Sequence, residues 1–146
     1  MQKKKIADPF DKLLKVVIVD AVLSELVDLS EDNGTPLGRR AFTGKVFKEG
    51  RNFRLDFAEA EQFTKGDQVI EVDNDIRSAA GDVCSELAER IEANMSGSFR
   101  RVPRTDDDYI TERFSANNLP DLVNGINAGL SQQNRIDAKK YLGIGK

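Results

Sequence analysis

The feature that most constrains the fold is a set of apolar residues between Asp75 and Met95 that recur every three or four positions. They are Ile76, Ala80, Val83, Leu87, Ile91 and Met95. This spacing places them on one side of an α-helix, and charged residues occupy the rest of the helical wheel. Gly97 is well placed to end the helix, because glycine accepts a left-handed backbone. The pattern predicts an amphipathic helix that buries one side against other elements.

A second, longer helix is predicted near the start of the chain. Asp8 can cap it, Pro9 suits its first turn, and Asp11 adds a carboxylate near the positive end of the helix dipole. The β-branched run Val16–Val19 is also typical of a strand. The cap and the length of the apolar pattern favour a helix that continues to about Leu29, and we expect it to be the central helix.

Two short segments rich in aromatic residues, Phe42–Phe47 and Phe53–Phe57, predict a β-hairpin. Gly50 lies in the polar turn between them and can take a positive φ. Apolar and charged residues alternate in the second segment, which indicates a sheet with one buried face. Ala58–Phe63 is predicted as a short helix or turn, and Val69–Val72 as the third strand of an antiparallel sheet under the first helix.

The last third of the chain is predicted to be mostly helical. Phe99–Arg104 is interpreted as an exposed basic linker, and Thr105 as the cap of a short helix that continues through Phe114. Two helices follow, over Pro120–Leu130 and Gln132–Leu142, with Ser131 as a cap between them. The predicted fold is therefore α+β: an α+β core domain with an N-terminal arm over 1–98, a linker over 99–104 and a helical C-terminal arm over 105–146.

Composition argues against several classes of function. The 146 residues include no histidine, which is the usual general base and a common metal ligand. The one cysteine, Cys84, lies within the predicted helix of residues 75–95, where a small core residue is the expected role. A formal net charge of -3 argues against wholesale electrostatic binding to DNA or a membrane. We therefore expect a cytoplasmic protein that is not an enzyme and has no cofactor.

Three consecutive carboxylates, Asp106, Asp107 and Asp108, suggest a site for a hard divalent cation. They also suit the first turn of the predicted helix that begins at Thr105, because negative charge there is favourable to the helix dipole. The second interpretation is preferred, and no metal ligand is assigned.

A set of arginines with one aromatic residue forms the candidate interaction site. Its members are Arg39, Arg40, Phe99, Arg100, Arg101 and Arg104. Guanidinium groups can bind phosphate while an aromatic ring stacks on a base, which is typical of nucleic-acid binding. A solvated linker or a protein-binding arm would contain the same residues, so both alternatives stay open.

The segment Gly125–Ile144 contains a glycine and an apolar residue before a capping serine, then an asparagine, an alanine and a closing Leu-Gly-Ile. It resembles the helix-turn-helix ending of some tailed-phage portal proteins. Arg135 and Ile136 depart from that pattern, which has Glu and Ala there. The chain is too short to be a portal, so the resemblance implies only that the protein belongs near a phage virion.

The predicted function is a non-catalytic structural or adaptor subunit of a multi-chain assembly, with a phage particle as the leading example. Its partners would be further copies of the chain or other subunits, and no membrane. The first alternative is a small nucleic-acid-binding accessory protein that uses the arginines. The second is an inhibitor that docks its acidic surface on a basic host protein.

Overall fold

The computed structural model describes residues 9–60, 62–65, 68–71, 74–95, 97–105, 110–137 and 140. The α-helices in these ranges are α1 (Pro9–Asp32), α2 (Asn74–Glu92) and α3 (Leu119–Asn127). The strands are β1 (Phe42–Glu49), β2 (Asn52–Glu59), β3 (Gln62–Lys65), β4 (Gln68–Glu71), β5 (Arg100–Val102) and β6 (Glu112–Ala116). The predicted α+β class and the long N-terminal helix are confirmed.

The β1–β2 hairpin forms as predicted. Gly50 occupies the turn with φ +62°, a left-handed conformation that favours glycine. Val46 pairs with Leu55 in the antiparallel register, and both side chains are buried. Arg54 and Asp56 point to the opposite face of the sheet, which follows from the two-residue period of a strand.

The sheet differs from the predicted three-stranded arrangement. Its strand order is β1-β2-β6-β5, with antiparallel neighbours, so its third and fourth strands come from the last third of the chain. The predicted third strand at Val69–Val72 corresponds to β4, which pairs with β3 in a separate two-stranded sheet. The predicted short helix or turn at Ala58–Phe63 is wrong over Ala58–Glu59, which end β2, and over Gln62–Phe63, which begin β3.

The basic linker predicted at 99–104 is also wrong. Phe99 is buried and its ring stacks on Phe114, with the ring centroids 5.4 Å apart. Arg100–Val102 is strand β5, which pairs with β6. The predicted helix from Thr105 to Phe114 is wrong over Glu112–Phe114, which belong to β6, while residues 106–109 lie outside the described residues. The segment after residue 98 therefore completes the central sheet.

The core lies between the helices and one face of the sheet. Helix α1 contacts β1, α2 contacts β2, and α3 contacts β6. The largest fully buried apolar side chains are Leu14, Ile18, Leu26, Leu55, Phe57, Leu87, Ile91, Phe114, Leu122, Ile126 and Leu130. A Cβ atom on Gly125 would lie 2.3 Å from the Phe99 ring, so this glycine lets α3 approach the ring closely.

The end of the described chain contains one of the two predicted helices. Helix α3 begins after Asn118, whose Oδ1 accepts a hydrogen bond from the Asp121 backbone N–H at 2.8 Å. The predicted helix over Gln132–Leu142 is wrong at its start: a single 3₁₀ turn spans Gln132–Asn134, and residues 135–137 are not helical. Most residues after 137 lie outside the described part.

Candidate protein-docking surface

The structure does not gather the predicted interaction residues into one patch. Phe99 is 3% exposed and belongs to the core, so it presents no ring to a partner. Arg100 is exposed on β5, and its neighbour Arg101 points to the other face of the sheet, as alternation along a strand requires. The buried Phe99 ring is therefore turned away from the exposed Arg100.

Arg101 and Arg104 bind a buried carboxylate. Glu112 is 1% exposed, and its Oε1 accepts a hydrogen bond from Nη2 of Arg101 at 2.7 Å. Nη2 of Arg104 forms an ion pair with the other carboxylate oxygen. Arg101 also contacts Glu92 of α2 at 3.3 Å. A buried charge needs such partners, so we assign these two arginines a role in folding.

Arg39 and Arg40 lie in a 3₁₀ turn just before β1. Arg39 forms an exposed ion pair with Asp20 of α1, and Arg40 is exposed beside it. Exposed pairs of this kind contribute little to stability, at most about 1 kcal/mol. Phe99 is buried, Arg101 and Arg104 bind Glu112, and Arg39 pairs with Asp20, so the predicted residues have different roles.

A buried cluster that sequence reasoning missed surrounds Glu25, which is 1% exposed on α1. Its carboxylate accepts hydrogen bonds from the Ser131 backbone N–H at 2.8 Å, the Ser131 hydroxyl at 2.7 Å and the Asn134 amide at 2.9 Å. Arg90 of α2 lies 3.3 Å away. Burial acts to raise the pKa of Glu25, but these hydrogen bonds and the Arg90 charge hold it below its usual value. Ser131 therefore anchors its segment to α1 instead of capping a helix through its side chain.

Cys84 occupies the core as expected. Burial raises the pKa of its thiol to about 12, and the charge of Glu59 acts in the same direction. The thiol is therefore protonated at neutral pH and is a poor nucleophile. Across the described residues, no group of three or more Cys, Asp and Glu side chains could hold a metal ion, and Asp106–Asp108 lie outside that part of the chain.

The sheet face opposite the core carries charged side chains around one aromatic ring. The Arg54 guanidinium lies 4.2 Å from the centroid of the Phe47 ring, and its Nε is 2.9 Å from Oδ1 of Asp56. Nε of Arg113 lies 3.6 Å from Oδ2 of the same carboxylate. Lys45 approaches the Phe47 ring from β1, with Nζ 5.5 Å from the centroid. This face combines cations with an aromatic ring, although its arginines share an acidic neighbour.

Among the described residues, the most exposed large apolar side chains lie on α1, and one of them, Val16, borders the outer edge of β1. Leu13 and Val16 of α1 are 47% and 58% exposed, whereas most apolar residues of this helix are buried or half-buried. The Val19 side chain packs over Gly44 of β1. A groove of about 250 Å³ runs between this part of α1 and residues 44–46. β1 pairs with β2 on one side, and none of the other described strands pairs with it on the other. We call the β1 edge together with Leu13, Val16 and Val19 the docking strip.

Known proteins do not identify this surface. No protein-family model, no curated protein and no solved structure matches the chain. Among the helices in the described ranges, none is both long and apolar enough to cross a membrane. The docking strip is therefore interpreted from its own geometry.

Proposed function

We propose that the protein is a non-catalytic structural or adaptor subunit of a multi-chain assembly, and that it contacts its neighbours through the docking strip. The observation that carries this proposal is the combination of an eight-residue edge strand with exposed Leu13 and Val16 on the adjacent helix. An edge strand offers backbone N–H and C=O groups to another chain, and an apolar strip beside it gains free energy when it is covered.

The roles of the buried ionisable groups support a non-catalytic protein. Glu25 and Glu112 are the buried carboxylates among the described residues, and each is held by several donors from other segments of the chain. The Cys84 thiol is protonated and buried. These groups stabilise the fold, and their positions inside it keep them from a substrate in solvent.

The test is the mass of the purified chain in solution over a concentration series, measured by light scattering after size exclusion. We expect a concentration-dependent oligomer, and the double variant Leu13→Ser, Val16→Ser should weaken its association at least tenfold. The matched control is Met95→Ser, because Met95 is 38% exposed but lies three residues after α2, outside the docking strip. Equal effects of the two variants, or a monomer at every concentration that also captures no partner subunit, would contradict the proposal.

A second candidate function is the binding of single-stranded nucleic acid on the open sheet face. It is favoured by the Phe47 ring and by Lys45 beside it, because bases stack on aromatic rings while cations bind phosphates. Arg54 and Arg113 lie on the same face, but Asp56 binds both of them. Arg101 and Arg104, which the sequence suggested for this role, do not support it, because Glu112 binds them. A gain of mass with single-stranded DNA that disappears at high salt and with Phe47→Ala would favour this function.

The phage-virion setting rests on the resemblance of residues 125–144 to portal proteins, and it stays a prediction. The docking of an acidic surface on a host protein also stays a prediction.

A further inference from the structure

The docking strip is self-complementary in a way that selects its partner. We propose that two copies of the chain pair through their β1 strands, antiparallel and with Phe47 on the two-fold axis, to give a continuous eight-stranded sheet. This inference rests on the proposed function and names the partner of the docking strip.

The first argument is the symmetry that the two helices require. In the β1–β2 hairpin, Val46 and Lys48 share the core face with Leu55 and Phe53, while Lys45 and Phe47 lie on the open face. When the two-fold axis lies between the two copies of one β1 residue, residues directly opposite each other are either both odd-numbered or both even-numbered. Their side chains then lie on the same face in both copies, so the core faces of the two sheets join. Such an axis keeps both α1 helices on one face of the joined sheet. An axis between two residues would place them on opposite faces.

The second argument is charge. An axis through Lys45, Lys48 or Glu49 places that charged residue opposite its own copy, and an axis through Phe42, Thr43, Gly44 or Val46 places no lysine of one β1 opposite a glutamate of the other. An axis through Phe47 places Lys45 of each copy opposite Glu49 of the other. Opposite charges directly across an antiparallel pair are favourable, and like charges are unfavourable. The charge pattern of β1 therefore selects the Phe47 register.

The third argument is the position of the exposed apolar residues. The groove beside the β1 edge is lined by Val16 and Val19 from α1 and by residues 44–46 from β1, so the first half of α1 borders the strand positions next to Phe47. In the proposed dimer the second copy brings its own α1 to this place. Leu13 and Val16, which are exposed in the single chain, would then be covered by the equivalent residues. One symmetry operation accounts for the open edge, the charge pattern and the exposed residues.

The first test is a site-specific cross-link. Phe47→Cys places two thiols opposite each other across the axis, at the Cα separation of an antiparallel pair, which a disulfide can bridge. Thr43→Cys is the matched control, because it lies on the same face of the same strand, but the two copies of residue 43 would be roughly 26 Å apart at about 3.3 Å per residue. Cys84 is buried and does not interfere. Under mild oxidation we expect Phe47→Cys to form covalent dimers at least tenfold faster than Thr43→Cys, and equal rates would overturn the register.

The second test reverses the charges. Lys45→Glu places two acidic residues opposite each other, so we expect the dissociation constant, measured by analytical ultracentrifugation, to rise at least tenfold. Adding Glu49→Lys to the same chain should strengthen association at least threefold over Lys45→Glu, since each pair across the axis again has opposite charges. The recovery should be incomplete, because the change also removes the ion pair of Glu49 with Arg54 of its own chain, 2.6 Å long. Circular dichroism and thermal melting establish that each variant is folded. A double variant that stays as weak as Lys45→Glu would overturn the pairing.

These results separate the inference from the proposed function. If the wild-type chain associates but neither the cross-link nor the charge reversal behaves as expected, the β1 pairing is wrong and the assembly role stands. If the wild-type chain is monomeric at every concentration and captures no partner subunit, both are wrong.

Discussion

The two edges of the four-stranded sheet differ in length and in how their side chains are held. β5 is three residues long, and Arg101 on it binds Glu112, a buried carboxylate. β1 is eight residues long and runs beside the exposed Val16 of α1, which lies one helical turn from the exposed Leu13. Short edge strands with charged residues resist pairing with another chain, whereas a long edge beside apolar surface favours it. The β1 edge is therefore the one at which we propose that a second chain pairs.

Helix α1 shows the same contrast along its length. In its second half, Glu25 binds Ser131 and Asn134, which fixes the segment that follows α3 against the helix. In its first half, Leu13 and Val16 face solvent. One helix therefore connects the closed part of the molecule to the docking strip.

Phe99→Ala should destabilise the packing on the β5 side of the sheet, and it has the largest expected effect. Phe99 is buried and stacks on Phe114, so its removal leaves a cavity, and the free energy of unfolding should fall by about 3–5 kcal/mol. The measurement is urea denaturation followed by circular dichroism. Val16→Ala, on the open side, is the control and should change stability by less than about 0.5 kcal/mol under conditions where the chain is monomeric. A similarly small effect of Phe99→Ala would restore the interpretation of residues 99–104 as a linker.

Arg101→Met tests the ion-pair cluster at the β5 edge. The variant keeps much of the apolar stem but leaves Glu112 buried with Arg104 as its remaining cationic partner, so we expect a loss of about 2–3 kcal/mol in the free energy of unfolding. Arg100→Met is the control, because Arg100 is the preceding residue of the same strand and is exposed. Its effect should stay within about 0.5 kcal/mol. Equal losses in the two variants would show that Arg101 acts as an ordinary surface residue.

The sequence predicts the elements whose pattern is local and long. Helices α1 and α2 have many apolar residues at helical spacing, and the β1–β2 hairpin has aromatic segments on both sides of Gly50, the second with clear alternation. β5 has three residues, two of them arginines, so its pattern is too short to distinguish a strand from a linker. β6 begins with Glu112, and nothing local indicates that arginines eight and eleven residues earlier neutralise this carboxylate.

The candidate site is harder to predict for the same physical reason. A run of arginines looks the same in the sequence whether its side chains are solvated or bound to a buried carboxylate. The difference depends on whether the fold brings an acidic residue to them. The β1 segment is predicted correctly as a strand, but its position at the edge depends on β6 pairing with the other side of β2. The exposure of Leu13 and Val16 likewise depends on which side of α1 the sheet covers.

Glu25→Gln tests the closed half of α1 through its pH dependence. The pKa of Glu25 in the folded chain is lowered, so the stabilising effect of the carboxylate is present above the ordinary glutamate pKa of about 4.3 and is lost as pH falls through the folded value. At about pH 7 the variant should lose about 1–2 kcal/mol, since its amide places donors against the donors of Ser131 and Asn134.

The measurement is urea denaturation of both proteins from about pH 7 to about pH 3, where the difference between them should shrink. Glu31→Gln, an exposed change on the same helix, serves as the control and should not alter the pH profile. A difference that is constant with pH would show that the charge of Glu25 is not what anchors Ser131.

Gly44→Ala, on the β1 side, has the smallest expected effect. It tests whether side chains are packed less tightly there than around Phe99. Its Cβ would lie 3.4 Å from Cγ1 of Val19, and alanine is preferred over glycine inside a strand by roughly 0.5 kcal/mol, so stability should change by at most about that amount. In the closed region, the Cβ of Gly125→Ala would lie 2.3 Å from the Phe99 ring, and overpacking there should cost about 1–3 kcal/mol. Thermal melting of the two variants measures this difference directly. Losses above about 1 kcal/mol at Gly44 would mean that the β1 side is packed as tightly as the β5 side, leaving α1 no room to adjust when a second chain adds to the edge.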